Sequence, residues 1–121
     1  MIRGVRGATT VTTNEKSEIL NNTAVLVKDM IDKNNIIPEN VASVFVSVTA
    51  ELNAAFPAKS IRELEGWNYV PVMCMQEIDV PGSLDNCIRV MITVNTTTKQ
   101  SEIQHIYHHE AKKLRPDLMN E

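Results

Sequence analysis

Arg89 stands in the run Cys87-Ile88-Arg89-Val90-Met91-Ile92-Thr93-Val94, which otherwise reads as a buried β-strand. At period two, Ile88, Val90, Ile92 and Val94 share one face, so Arg89 projects from the other with Cys87, Met91 and Thr93. A guanidinium keeps its proton at neutral pH, and a cation placed there requires an anionic or hydrogen-bonding partner. A second apolar strand, Val70-Pro71-Val72-Met73-Cys74-Met75, runs out into Gln76-Glu77, and in a third pattern Arg3 and Arg6 flank Gly4-Val5. Three strands therefore deliver charge toward a sheet surface. Arg6 and Arg89 offer two forks suited to carboxylates or an oxyanion, and Glu77 a carboxylate able to accept from a substrate hydroxyl. Glu77 could equally serve as a structural ion-pair partner of Arg89.

Other reactive side chains form no complete constellation. Cys74 as a nucleophile would need a histidine base, but His105, His108 and His109 cluster in one late segment and nothing orients them toward it. A packing role is expected for Cys74. His105, His108, His109 and Glu110 lack a second ligand-rich segment, so no metal is expected, and no role is assigned to the three histidines. Gly4-Val5-Arg6-Gly7 is too short for a phosphate loop and leads into no helix with a lysine, which argues against nucleotide binding.

The elements that must position these groups fit one domain of 121 residues, long enough for a single core. Hydrophobic content is 43% and charged content 22%, ordinary for a globular chain. The formal charge of -3 argues against non-specific nucleic-acid binding. An anionic ligand must then be held by local arginines, because the overall field would not steer it in. No apolar stretch is long enough for a membrane span or signal peptide, and Cys74 and Cys87 lie in apolar strands without zinc-like spacing. Reduced thiols and a cytoplasmic location are expected.

The pattern predicts a first strand over residues 1–11, then a capping box, Thr12-x-x-Glu15, opening a helix that runs through Lys33. Residues 41–49 read as a central strand, 51–55 as a helical turn, and Pro57 as the first position of a helix ending near Leu64, with Gly66 beyond it. Strands three and four fall at 70–76 and 87–95, with another helical turn at 84–86 between them. A fifth short strand at 104–108 and a turn of helix at 111–114 follow. The order β-α-β-α-β-β-β indicates a mixed α/β or α+β domain with helices packed on one sheet face. The opposite face, carrying Arg89, needs cover, which self-association closing several sheets around an axis would supply. Residues 116–121 read as a tail.

Taken together, these segments resemble the monofunctional trimeric chorismate mutases of the α/β-barrel class. The matching blocks are Ile2-Arg3-Gly4-Val5-Arg6-Gly7-Ala8-Thr9-Thr10, Phe56-Pro57-Ala58-Lys59, Arg62-Glu63-Leu64 with Gly66-Trp67, and Tyr69-Val70-Pro71-Val72. Cys74-Met75-Gln76-Glu77, Cys87-Ile88-Arg89-Val90-Met91, Tyr107 and Leu114-Arg115-Pro116-Asp117-Leu118 complete them. The resemblance implies a homotrimeric pseudo-α/β-barrel with active sites at subunit interfaces, no cofactor, and conversion of chorismate to prephenate. It implies that Arg6 and Tyr107 hold a substrate carboxylate, that Glu77 and the Cys74 region bind the ring hydroxyl, and that Arg89 reaches the ether oxygen and a carboxylate. Phe56 would wall the pocket with Ala58, Lys59 and Arg62 beside it, and Leu114 and Arg115 would come from a mobile tail. Met73 stands where the family has a small polar residue, and His108-His109-Glu110 aligns with nothing in it.

A unimolecular Claisen-type rearrangement agrees with the absence of a triad or ligand set. It needs a flexible dianion held folded and a fixed cation where charge grows on the ether oxygen. A non-catalytic trimer binding small carboxylates, or an imine- or enamine-hydrolysing trimer of related architecture, would use similar arginines.

Overall fold

A computed structural model describes residues 1–115; the expected tail at 116–121 lies outside the described residues. Five strands, β1 (Ile2–Thr10), β2 (Val41–Val48), β3 (Val72–Gln76), β4 (Cys87–Asn95) and β5 (Ile106–Tyr107), form one mixed sheet in the order β3-β2-β4-β1-β5. β4 runs antiparallel to both β1 and β2, while β3 and β5 add in parallel at the two edges. Helices α1 (Lys16–Asn34) and α2 (Ala58–Arg62) lie against one face. The architecture is the expected α+β sheet with helices on a single side.

Alternation dictates which side. Val5, Val44, Val46, Ile88, Val90, Ile92 and Val94 are buried against Ile19, Leu26, Val27 and Met30 of α1 and Ile61 of α2. Gly7 lets α1 pack close at the crossing, because a Cβ there would push against Met30 Sδ and force that buried side chain to shift. α1 ends at Asn35, whose left-handed backbone (φ 51°, ψ 47°) lets its N–H reach the Ile31 carbonyl. Asn34 then ties the helix end to the segment before β5: its Nδ2 donates to the Gln104 carbonyl at 2.8 Å and its Oδ1 accepts from Gln104 N–H at 2.8 Å.

Several local expectations are corrected. The Thr12–Glu15 box does not form: Glu15 is the N-cap and makes no side-chain capping bond. Glu18 reaches back instead, accepting from Thr12 N–H at 2.8 Å, Thr13 N–H at 3.1 Å and both hydroxyls. These bonds hold its carboxyl below the usual range, the Thr12 backbone bond foremost. Residues 51–55 form no helical turn, because Asn14 Oδ1 takes the N–H groups of Asn53 and Ala54 (3.1 Å each) and fixes an irregular loop. Residues 84–86 are also non-helical: Asn86 is left-handed (φ 53°), its N–H donates to Glu51, and its carbonyl accepts from Val11.

α2 stops at Arg62, short of Leu64, and Pro57 caps it from outside. β3 starts at Val72 because Val70 is held in a turn on the Trp67 carbonyl. β5 shrinks to two residues, and the expected turn at 111–114 belongs to a 3-10 segment, His109–Leu114.

Candidate active site

The uncovered face of the sheet is set by cross-strand register. One row runs Met73, Phe45, Met91, Arg6 from β3 to β1, and the next runs Met75, Ser47, Arg89, Ala8, Tyr107 through to β5. Each row joins residues that period-two alternation puts on one side. Glu77 follows β3 directly, its N–H bonded to the Val48 carbonyl at 2.8 Å. A cavity of about 300 Å³ results, lined by Arg6, Ala8, Ser47, Glu77, Arg89, Tyr107 and Leu114, with apolar walls from Phe45, Met75 and Met91. That volume suits a small-molecule site.

Its charges are unequal. Arg89 Nε lies 3.2 Å from Glu77 Oε2, and Ser47 Oγ donates to the same oxygen at 2.8 Å. Both bonds fall on Oε2, so Oε1 keeps its lone pairs for an incoming hydroxyl. The ion pair engages Arg89 through Nε, so its Nη groups are not tied to Glu77. Arg6 adds a second cation, so two guanidiniums meet one carboxylate, and an anionic ligand would complete the balance. Arg89 is half exposed, which removes the desolvation cost that full burial would impose. Arg3, one residue out of phase with Arg6, takes no part: its Nε donates to the Thr98 carbonyl at 3.2 Å.

The remaining sequence candidates fall elsewhere in the single chain. Phe56 and Cys74 line a separate cavity of about 480 Å³, across Met75 from the first. Ala58 is buried in α2, Lys59 sits 4.0 Å from Glu63, and Arg62 is exposed on α2. None of these three, nor Met73 at 60% exposure on the edge strand, lines either cavity. Arg115 lines a third cleft with Asp29, His105, His108 and Tyr107. The chain thus brings Arg6, Glu77, Arg89, Tyr107 and Leu114 together and keeps Phe56 and Cys74 apart from them.

Among the described residues no three His, Cys, Asp or Glu side chains are grouped to hold a metal ion. The histidines act locally: His108 Nε2 is 2.8 Å from Asp29 Oδ2, and His105 Nδ1 accepts the Arg6 backbone N–H at 2.9 Å. Neither cysteine is paired. Burial pushes the Cys87 thiol up, opposed by nearby Arg89, so it stays a thiol. Ser47, Phe45 and Met75 were not among the sequence candidates. Alternation through β2 could have placed Ser47 and Phe45 on the same face, but only the β2–β4 register sets Ser47 opposite Arg89.

Known proteins resemble the chain over nearly its whole length. The family model described as "Chorismate mutase type I" matches residues 2–118. The chain is 52% identical over 118 residues to chorismate mutase AroH of Bacillus subtilis (strain 168), covering 98% of this chain and 93% of that protein. It is 42% identical over 119 residues to the AroH of Thermus thermophilus, covering 98% and 97%. A solved chorismate mutase from Clostridium thermocellum superposes with a TM-score of 0.88 at 46% identity, over 91% of this chain and 97% of that one.

Proposed function

We propose a mechanism from the premise that this chain belongs to the type I chorismate mutase family and is an isomerase converting chorismate to prephenate, the branch step toward phenylalanine and tyrosine. The observation that carries the mechanism is the pair of guanidiniums, Arg6 from β1 and Arg89 from β4, set against the single carboxylate Glu77 in one cavity. No proton has to move in this rearrangement. The site's work is to hold the substrate folded and to stabilise charge that appears on the way.

Arg6 and Tyr107 hold a substrate carboxylate, and a fixed pair of contacts on the dianion favours the folded conformer from which the new C–C bond forms. Glu77 accepts from the ring hydroxyl at Oε1, its Oε2 being occupied by Ser47 and Arg89. As the C–O bond breaks ahead of C–C formation, negative charge builds on the ether oxygen. Arg89, held in place by Glu77, meets that charge, and its attraction is stronger in the transition state than in the ground state. Phe45, Met75 and Met91 keep the surroundings apolar, which strengthens the interaction.

We further propose that the protein is a homotrimer whose sites form between chains. Phe56 is 77% exposed and Met73 60%, and among the described residues β3 and β5 stand at the sheet edges with no further strand beside them, so a second copy has apolar surface to cover. It would bring Phe56, Met73 and Cys74 to the Arg6–Arg89 cavity, with Ala58, Lys59 and Arg62 behind them, while Leu114, which lines that cavity within its own chain, and Arg115 would close over it. We place the enzyme in the cytoplasm, which the two unpaired cysteines support. No helix among the described residues is long and apolar enough to cross a membrane.

The test is direct. Purified protein mixed with chorismate should remove its absorbance and yield prephenate in stoichiometric amount. Binding without product would instead identify a carboxylate-binding protein.

A further inference from the structure

The two-residue strand β5 carries Tyr107 into the cavity, yet two rungs of parallel pairing are little to hold it. Its ladder is lengthened at both ends. Beyond Tyr107, His108 N–H donates to the Ala8 carbonyl at 2.9 Å. Before Ile106, the rung is made by a side chain: Arg6 N–H donates to His105 Nδ1 at 2.9 Å. Asn34 fixes the preceding residue through both backbone groups of Gln104, so the imidazole is delivered from an anchored segment.

We infer that His105 is a positioning residue for substrate binding, its neutral imidazole holding the Arg6 backbone, and with it the Arg6–Tyr107 pair, in register. This rests on the reading that Arg6 and Tyr107 hold a substrate carboxylate. An Nδ1 that accepts a hydrogen bond carries no proton, so the ring is the Nε2–H tautomer, and protonation removes the acceptor. The surroundings favour the neutral ring: His105 is half-buried, and both burial and the Arg6 charge lower its pKa from the ordinary histidine value. The other charged or titratable groups at the cleft it lines are Asp29 from α1, Tyr107 and His108 beside it, and Arg115 from the segment after β5. Asp29 is itself engaged by His108 at 2.8 Å and Lys33 at 3.2 Å.

Because a carboxylate held by Arg6 is held in ground and transition states alike, the loss appears in KM more than in kcat. The experiment measures kcat and KM for chorismate from about pH 5.5 to 8 in the wild type, His105→Asn, His105→Leu and, separately, Arg6→Ala. The Asn amide oxygen replaces Nδ1 as acceptor and does not titrate. Expected are a wild-type KM that rises as the pH falls below the histidine range, a His105→Asn KM near the wild-type value and flat across that range, and a His105→Leu KM raised roughly 2- to 12-fold at pH 7.5, the loss of one net hydrogen bond. A wild-type KM in His105→Leu, or an acid-side rise that persists in His105→Asn, would overturn the role of His105. Should His105→Leu fail to fold, the His105→Asn profile decides alone. An unchanged KM in Arg6→Ala would overturn the underlying assignment of Arg6 instead.

Discussion

Arg89 in β4 and Glu77 just past the end of β3 meet at 3.2 Å although β3 and β4 are not neighbours: β2 lies between them, and its Ser47 bonds the same carboxylate oxygen at 2.8 Å. The pair is therefore built across three strands and held by the sheet itself. A guanidinium fixed in this way has paid its ordering cost before substrate arrives, the condition for electrostatic stabilisation of a transition state.

Replacing Arg89 with Lys keeps the charge and loses the fork. We expect kcat to fall by roughly 10²–10³-fold, the loss typical of one preorganised donor, and Arg89→Ala to fall further. Thermal unfolding should change little, since Arg89 is half exposed. Near-normal turnover in Arg89→Lys would count against the mechanism.

With no proton in flight, kcat should vary less than about twofold between pH 7 and 9, and the solvent deuterium isotope effect should lie near one. A bell-shaped kcat profile would point to acid–base chemistry.

If sites form between chains, Arg89→Ala and Phe56→Asp damage opposite halves of a shared site. Co-expressed, randomly mixed subunits should recover activity at about one quarter of the sites, while each variant alone is inactive. Sedimentation should give three chains per particle. No recovery in mixed particles would place the whole site within one chain.

Glu18→Gln weakens the anchor between the end of β1 and the start of α1. The folded-state pKa of Glu18 is lowered from 4.5, so its stabilisation is present above that value and is lost as pH falls through the lower folded pKa. The denaturant midpoint should drop in the variant at pH 7, and the gap should close on acidification below pH 4.5.

Asp29 joins α1 to His108 and Lys33, and its pKa is lowered from 3.8, chiefly by the His108 bond. The sign is the same: the contribution stands above pH 3.8 and fades below it. At about 30% exposure, Asp29→Asn should cost about 0.5–1 kcal/mol at pH 7, read from urea unfolding.

Much of this was legible in the chain. Alternation in 87–95 put Arg89 opposite the buried face of β4, and helical spacing from Ile19 to Met30 marked α1, because burial on one side imposes a period that the sequence must carry. Short segments were less readable. At 51–55 and 84–86, backbone N–H groups held by the side-chain oxygens of Asn14 and Glu51 outweigh weak local helix preference, and such partners lie 35 to 40 residues away.

The sequence by itself determined the residue types at the site, the faces they occupy and the family to which the chain belongs. Only the tertiary structure decided that Ser47 stands between Glu77 and Arg89, that Arg3 turns away, and that a histidine side chain finishes the β1–β5 ladder. The reason is physical: alternation fixes the side of a sheet on which a residue emerges, but strand order and register fix its neighbours, and those follow from packing the whole chain at once.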